Sequence, residues 1–111
     1  FLQFIGDMST PITINHLRDM HYLEACIKEV LRLYPVVLAL GRTLGEPLTL
    51  PTGETIPKNS NVYVPILFLH RDPDYFDRPD DFQPERWLQM NAKDTARLKY
   101  VYIPFSAGPR N

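Results

Sequence analysis

All but one of the eleven prolines in this sequence fall at or after Pro35. A proline inside a helix removes a backbone donor and clashes with the preceding turn, at about 3 kcal/mol. The last two-thirds of the chain therefore cannot be built mainly of long helices. The longest proline-free stretch, 12–34, lies before Pro35. There Leu17, Met20, Leu23, Ile27, Val30, Leu31 and Tyr34 recur at intervals of three and four, which predicts a helical region over 13–34 with one apolar stripe. Thr13 or Asn15 can cap it, and Pro35 ends it by pushing the residue before it out of the α region. Periodicity leaves open whether this is one helix or two that bend near Met20–His21.

Beyond Pro35 the pieces are short. Val36–Leu40 is an apolar run that reads as a buried strand. Leu48–Leu50 and Glu54–Ile56, joined through Pro51-Thr52-Gly53, read as a hairpin, and Asn61–Val64 as a third strand. Asn59 suits a turn with positive φ. Pro65–His70 reads as a helical turn opened by proline. Residues 72–87 mix acids, prolines and aromatics without a period, which predicts an ordered irregular segment anchored by Tyr75, Phe76, Phe82 and Trp87. Ala92–Leu98 reads as a short exposed helix.

Composition narrows the function classes. The 111 residues allow one small domain, and 12 Lys+Arg against 13 Asp+Glu lack the basic excess of a nucleic-acid binder. The lone Cys26 excludes an intrachain disulfide and any CxxC motif, and reads as a buried structural thiol. The longest apolar stretch, Val62–Leu69, is eight residues and holds Pro65, too short to span a membrane. The apolar start at Phe1 has no basic n-region and no small-residue cleavage site, so it does not read as a signal peptide. Both ends read as cuts inside a larger protein.

Glu29 and Arg32 lie three apart on the predicted helix and share a face. They read either as an exposed ion pair or as a buried one with further partners, for which Arg86 is the candidate. His70-Arg71-Asp72 has the letters of a kinase catalytic loop, but Asp77 stands where that loop needs Asn, and no glycine-rich phosphate loop is present. His16 and His21 are five apart on a helix and do not converge with Glu24 on a metal. Phe105-Ser106-Ala107-Gly108-Pro109-Arg110-Asn111 is a turn-rich tail with an arginine beside it, of a kind that can hold an anion or a ligating side chain.

Four elements in order are specific together where each alone is weak. They are Glu29-x-x-Arg32 with Leu33-Tyr34-Pro35; His70-Arg71-Asp72-Pro73; Phe82-x-Pro84-Glu85-Arg86-Trp87; and the 105–111 tail. Together they resemble the C-terminal half of a cytochrome P-450, a haem-thiolate monooxygenase, and the wording of 24–29 and 105–111 is similar to the animal family-four members. The resemblance covers nearly the whole chain and is thinnest over Phe1–Ile12.

That resemblance implies an α+β partial fold: the K-helix region (13–34), strands and hairpin (about 36–64), and an irregular haem-side segment (72–111) leading to the haem-binding loop of a single, mainly helical domain spanning 1–111. It implies haem as cofactor, with Arg42 and Arg110 on its propionates, Phe105 beside the iron–thiolate bond, and Gly108 in the loop. It implies a structural charge triad of Glu29, Arg32 and Arg86, and Val37, Leu38 and Leu40 lining a substrate pocket. Trp87, where phenylalanine is commoner, reads as a tolerable aromatic exchange. The haem-ligating cysteine is expected immediately after Asn111, so the piece alone is expected to hold neither metal ligand nor catalytic residue and to be inactive. The implied parent hydroxylates lipophilic substrates such as fatty acids or xenobiotics, using O2 and electrons from an NADPH-cytochrome reductase. It is implied to sit in the endoplasmic reticulum membrane through an N-terminal anchor. The alternative reading is a non-catalytic α/β interaction module without haem.

Overall fold

Short helices alternate with short antiparallel strand pairs in the computed structural model, which describes residues 11–107. The helical region expected over 13–34 is two helices, α1 (Ile14–Arg18) and α2 (His21–Leu33), separated at Asp19 and Met20. Thr13, extended, is the N-cap of α1, and its backbone N–H donates to His16 Nδ1 at 3.3 Å. Strand β1 (Leu40–Thr43) pairs with β4 (Asn61–Val64) in the register Leu40↔Val64 to Thr43↔Asn61. Between them, β2 (Leu48–Thr49) and β3 (Thr55–Ile56) form the hairpin over Pro51-Thr52-Gly53. Gly53 takes φ 94°, and Asn59 turns the chain back toward β4 at φ 66°. Helix α3 (Ile66–Leu69) follows Pro65, which is its N-cap and not its first residue. Helices α4 (Glu85–Leu88) and α5 (Ala92–Leu98) complete the order. The side chain of Asn91 caps α5 by accepting from the Lys93 and Asp94 N–H groups.

One expectation is corrected. Val36–Leu40 is not a buried strand: the strand starts only at Leu40, and Val36 and Leu38 are exposed. The partner strand explains this. Val64 is opposite Leu40 and is followed by Pro65, which has no N–H to continue the ladder. Helix α2 covers a face that its apolar stripe does not mark. Its buried residues are Ala25, Glu29, Arg32 and Leu33, whereas Leu23, Ile27, Val30 and Tyr34 of the apolar stripe are exposed. Spacing fixes which residues share a face, not which face is covered. Here the rest of the chain packs on the face that carries the charged pair.

The apolar core is correspondingly small. Phe76, Leu98 and Val101 form its centre, with Leu69, Trp87, Met90 and Tyr102 packed around it. Phe76 and Trp87 thus anchor the irregular segment, while Phe82 and Tyr75 lie outward. The radius of gyration is 18.5 Å, against about 13 Å for a compact domain of this length. No helix among the described residues is long and apolar enough to cross a membrane.

Candidate functional site

The centre of the structure is a carboxylate. Glu29 is wholly buried near the middle of α2, and an unpaired charge there would carry a desolvation penalty of several kcal/mol. Five donors converge on it. Arg32, one helical turn on, is bidentate: Nε to Oε2 and Nη2 to Oε1, both 2.9 Å. The backbone N–H of Gln83 and Nε of Arg86 donate to Oε1 at 3.0 and 3.1 Å, and the indole N–H of Trp87 donates to Oε2 at 2.9 Å.

Arg32 is equally buried, and its remaining donors go to main-chain carbonyls. Nη1 reaches His70 O (3.0 Å) and Pro79 O (2.6 Å), and Nη2 reaches Asp81 O (3.1 Å). With the two bonds to Glu29, all five guanidinium N–H groups are used. The face of the guanidinium lies 5.1 Å from the Phe76 ring centroid. Arg86 is only slightly exposed, and its Nη2 also reaches Arg78 O at 3.4 Å. Arg78 itself holds φ 44°, a backbone shape that presents its carbonyl while its exposed side chain pairs with Asp77 and Asp81. The cluster is therefore a clasp: two side chains of one helix hold 70, 79, 81, 83, 86 and 87 of a segment that has almost no regular structure.

A second layer surrounds the clasp. His70 is fully buried and its Nε2 accepts the Ile103 N–H at 3.0 Å. Its ring stacks on Tyr102 at 5.3 Å between centroids, and Tyr102 lies 4.5 Å from Trp87. The Tyr102 hydroxyl donates to Lys28 O on α2 at 3.1 Å, so the segment after α5 is bound to the same helix. Burial, with the Glu29 charge adding to it, pushes the Tyr102 phenol up to about 12. Arg71 donates to Leu33 O at 2.9 Å and pairs with Asp80 at 3.2 Å.

Burial raises the Glu29 carboxyl's affinity for a proton. The hydrogen bonds from Arg32, Gln83 and Trp87 and the Arg32 charge outweigh it, leaving the group below its usual range. Burial, with the Arg32 charge adding to it, holds His70 below the usual histidine range, against the opposing effect of the Arg32 and Leu31 backbone. The signs define an acid response. A carboxylate with depressed pKa contributes stability above about pH 4.5 that is lost as pH falls through its folded value. A histidine with depressed pKa binds its proton more readily when unfolded, so stability declines as pH drops below about 6.5. Two acid limbs are expected in pH-dependent unfolding, and His70→Gln should remove the upper one alone.

The other sequence-predicted residues are dispersed. Arg42 stands exposed on β1, its partner among the described residues being the adjacent Gly41 carbonyl at 2.7 Å. Leu38 is exposed, and Val37 and Leu40 are half-buried in the same stretch. Phe105 is exposed within the turn closed by the Ser106 N–H on Ile103 O. Gly108 and Arg110 lie outside the described residues, as does the position after Asn111. His16, His21 and Glu24 do not converge: His16 faces Thr13, and Glu24 pairs with Lys28 at 2.6 Å. Cys26 is half-buried.

Sequence reasoning missed two contributors. His70 stood in a rejected kinase-like string, and nothing in that string signals a fold back to residue 103. Trp87 is more than an aromatic exchange, because its indole N–H supplies the carboxylate with a donor that phenylalanine lacks. Trp87→Phe should therefore cost about 1.5–3 kcal/mol, the range for a hydrogen bond to a charged group. Equilibrium denaturation of the full-length protein measures it, and a loss under about 0.5 kcal/mol would show the bond to be dispensable.

Comparison with known proteins identifies relatives along nearly the whole chain. The family model described as Cytochrome P-450 matches residues 2–111. Cytochrome P-450 4c3 of Drosophila melanogaster is 42% identical over 108 residues, which are 97% of this chain and 20% of that protein. Cytochrome P-450 4V2 of Homo sapiens is 42% identical over 106 residues, again 20% of its length. Cytochrome P-450 4A2 of Rattus norvegicus is 42% identical over 107 residues. The chain thus spans about a fifth of the length of the curated relatives it matches.

Proposed function

Because this chain belongs to the cytochrome P-450 family, whose members are haem-thiolate monooxygenases, we propose that it is the haem-side segment of an enzyme that hydroxylates lipophilic substrates. Fatty acids are the favoured class, with foreign compounds also accepted. The observation that carries this reading is the family match over residues 2–111. It is supported by the clasp, which spends a buried carboxylate and guanidinium on an irregular segment, a use that suits holding one surface to fit a large rigid cofactor.

The residues fit a haem in chemistry. Arg42 presents a planar guanidinium suited to a propionate, and Arg110 matches a second such position. Phe105 offers an exposed apolar ring three residues before Gly108 in sequence, and Val37, Leu38 and Leu40 offer apolar surface to substrate. Haem bound through a cysteine thiolate supplies the oxygen-activating chemistry, the thiolate favouring O–O cleavage. The chain's own share is mechanical and electrostatic. Glu29, Arg32 and Arg86 form the structural triad that fixes residues 79–87, and the apolar residues exclude water and orient substrate.

The exposed apolar face of α2 and the radius of gyration fit a segment that packs within one larger domain. The alternative of a haem-free interaction module has no observation of its own in its favour. The proposed partners are an NADPH-cytochrome reductase and the substrate, and the proposed location is the endoplasmic reticulum membrane through an N-terminal anchor. The test is turnover. Full-length protein carrying this segment, with reductase and NADPH, is expected to give hydroxylated fatty acid whose new oxygen comes from O2. Label from water appearing there instead would refute the assignment.

A further inference from the structure

We propose that His70 is a positioning residue for the haem loop, acting through Ile103. The inference rests on the haem reading above. Ile103 is held at both of its backbone groups: its N–H donates to His70 Nε2 at 3.0 Å, and its C=O accepts the Ser106 N–H at 3.0 Å. Ser106 adopts φ 73°, so the turn 103–106, which carries Phe105, has a defined and strained shape. The first residue of the turn, Ile103, is anchored by the His70 side chain. The anchor is a fully buried imidazole whose own backbone carbonyl is bound by Arg32, the rigid centre of the clasp. Tyr102 ties the neighbouring residue to α2 through Lys28 O, and the His70 imidazole is the side chain that links Arg32 to the Ile103 backbone itself.

The bond requires the tautomer with its proton on Nδ1, because Nε2 is an acceptor. Nδ1 faces the Leu31 and Arg32 backbone without completing a hydrogen bond. Protonating Nε2 would set two N–H groups against each other. The groups around the ring give no compensation: Arg32 on α2 repels the cation, Tyr102 from the 101–107 segment is neutral, and Arg71 is cationic, its guanidinium held by Leu33 O and Asp80.

The experiment compares His70→Gln with His70→Met in full-length holoprotein. The two side chains are similar in length and volume, but only Gln places a strong acceptor near the Nε2 position. Hydrogen exchange at the Ile103 amide is expected to quicken about tenfold in Met and to stay near the native rate in Gln. The haem reduction potential, read on the folded fraction, is expected to shift in Met and return in Gln. Should Met fail to fold, His70→Asn carries the same expectation, since its carbonyl oxygen lies near the Nδ1 position. Native exchange at Ile103 without the acceptor overturns the proposal. So does a freed amide with an unchanged potential, which would leave His70 structural only. Absence of a thiolate-type carbon monoxide band in the wild type defeats the haem reading instead, while the exchange comparison still decides whether His70 anchors Ile103.

Discussion

Replacing Glu29 with glutamine is expected to cost about 3–5 kcal/mol, the range for removing one partner of a buried ion pair. The change is nearly isosteric, so the loss is electrostatic and not a cavity. Oε1 receives Arg32 Nη2, Gln83 N–H and Arg86 Nε, and Oε2 receives Arg32 Nε and the Trp87 indole. A glutamine keeps its oxygen where three donors meet, and its NH2 group must then face Arg32 Nε–H and the Trp87 N–H. Two donors lose their acceptor and a third donor is pressed against them, in a place with no solvent. The Arg32 charge, also wholly buried, loses the carboxylate that it pairs with, while Arg86 on the same carboxylate has the same sign. Against a total stability of about 5–15 kcal/mol, a loss of this size empties much of the folded population. Chemical denaturation of full-length protein measures it, and a shift below about 1 kcal/mol would mean the clasp contributes little.

Arg32→Lys should be nearly as damaging, although the charge is kept. Arginine serves five acceptor contacts with five N–H groups in a fixed plane: two on Glu29, and one each on His70 O, Pro79 O and Asp81 O. Lysine has three donors at one point and cannot span from the carboxylate to carbonyls on the far side of the fork. At least two contacts are left unserved, each at about 1–3 kcal/mol, and the guanidinium contact over the Phe76 ring is lost. A loss of about 3 kcal/mol or more is expected, with hydrogen exchange quickening first in the 79–87 segment, whose carbonyls are released. Arg86→Lys should be milder, since Arg86 gives Glu29 a single bond near solvent. Equal effects at positions 32 and 86 would contradict the view that Arg32 is the centre of the clasp.

Local chemistry carried much of this into the sequence. The Glu29–Arg32 spacing put both on one face, Pro51-Thr52-Gly53 marked a hairpin, and Asn59 marked a left-handed turn. Proline placement told where regular structure had to stop. What stayed illegible was what depends on distant partners. Spacing marks the apolar stripe of α2 without saying which face is covered, and the charged face is the one covered, because segment 79–87 brings carbonyls and an indole to it. Strand β1 starts late because of Pro65, twenty-five residues beyond Leu40 in sequence but next to its partner in the ladder. His70 and Ile103 meet across thirty-three residues with no periodic signal to announce it.

On the proposed function, the buried carboxylate of Glu29 on α2 holds the irregular segment in the shape that a haem-thiolate site needs. The most direct measurement is the carbon monoxide difference spectrum and haem content of full-length wild type beside Glu29→Gln, prepared and read in parallel. The wild type should show a thiolate-type band with haem bound close to one per chain, and the variant should show little haem and no such band. Glu29→Gln protein with native haem content and an unaltered thiolate band would contradict the claim.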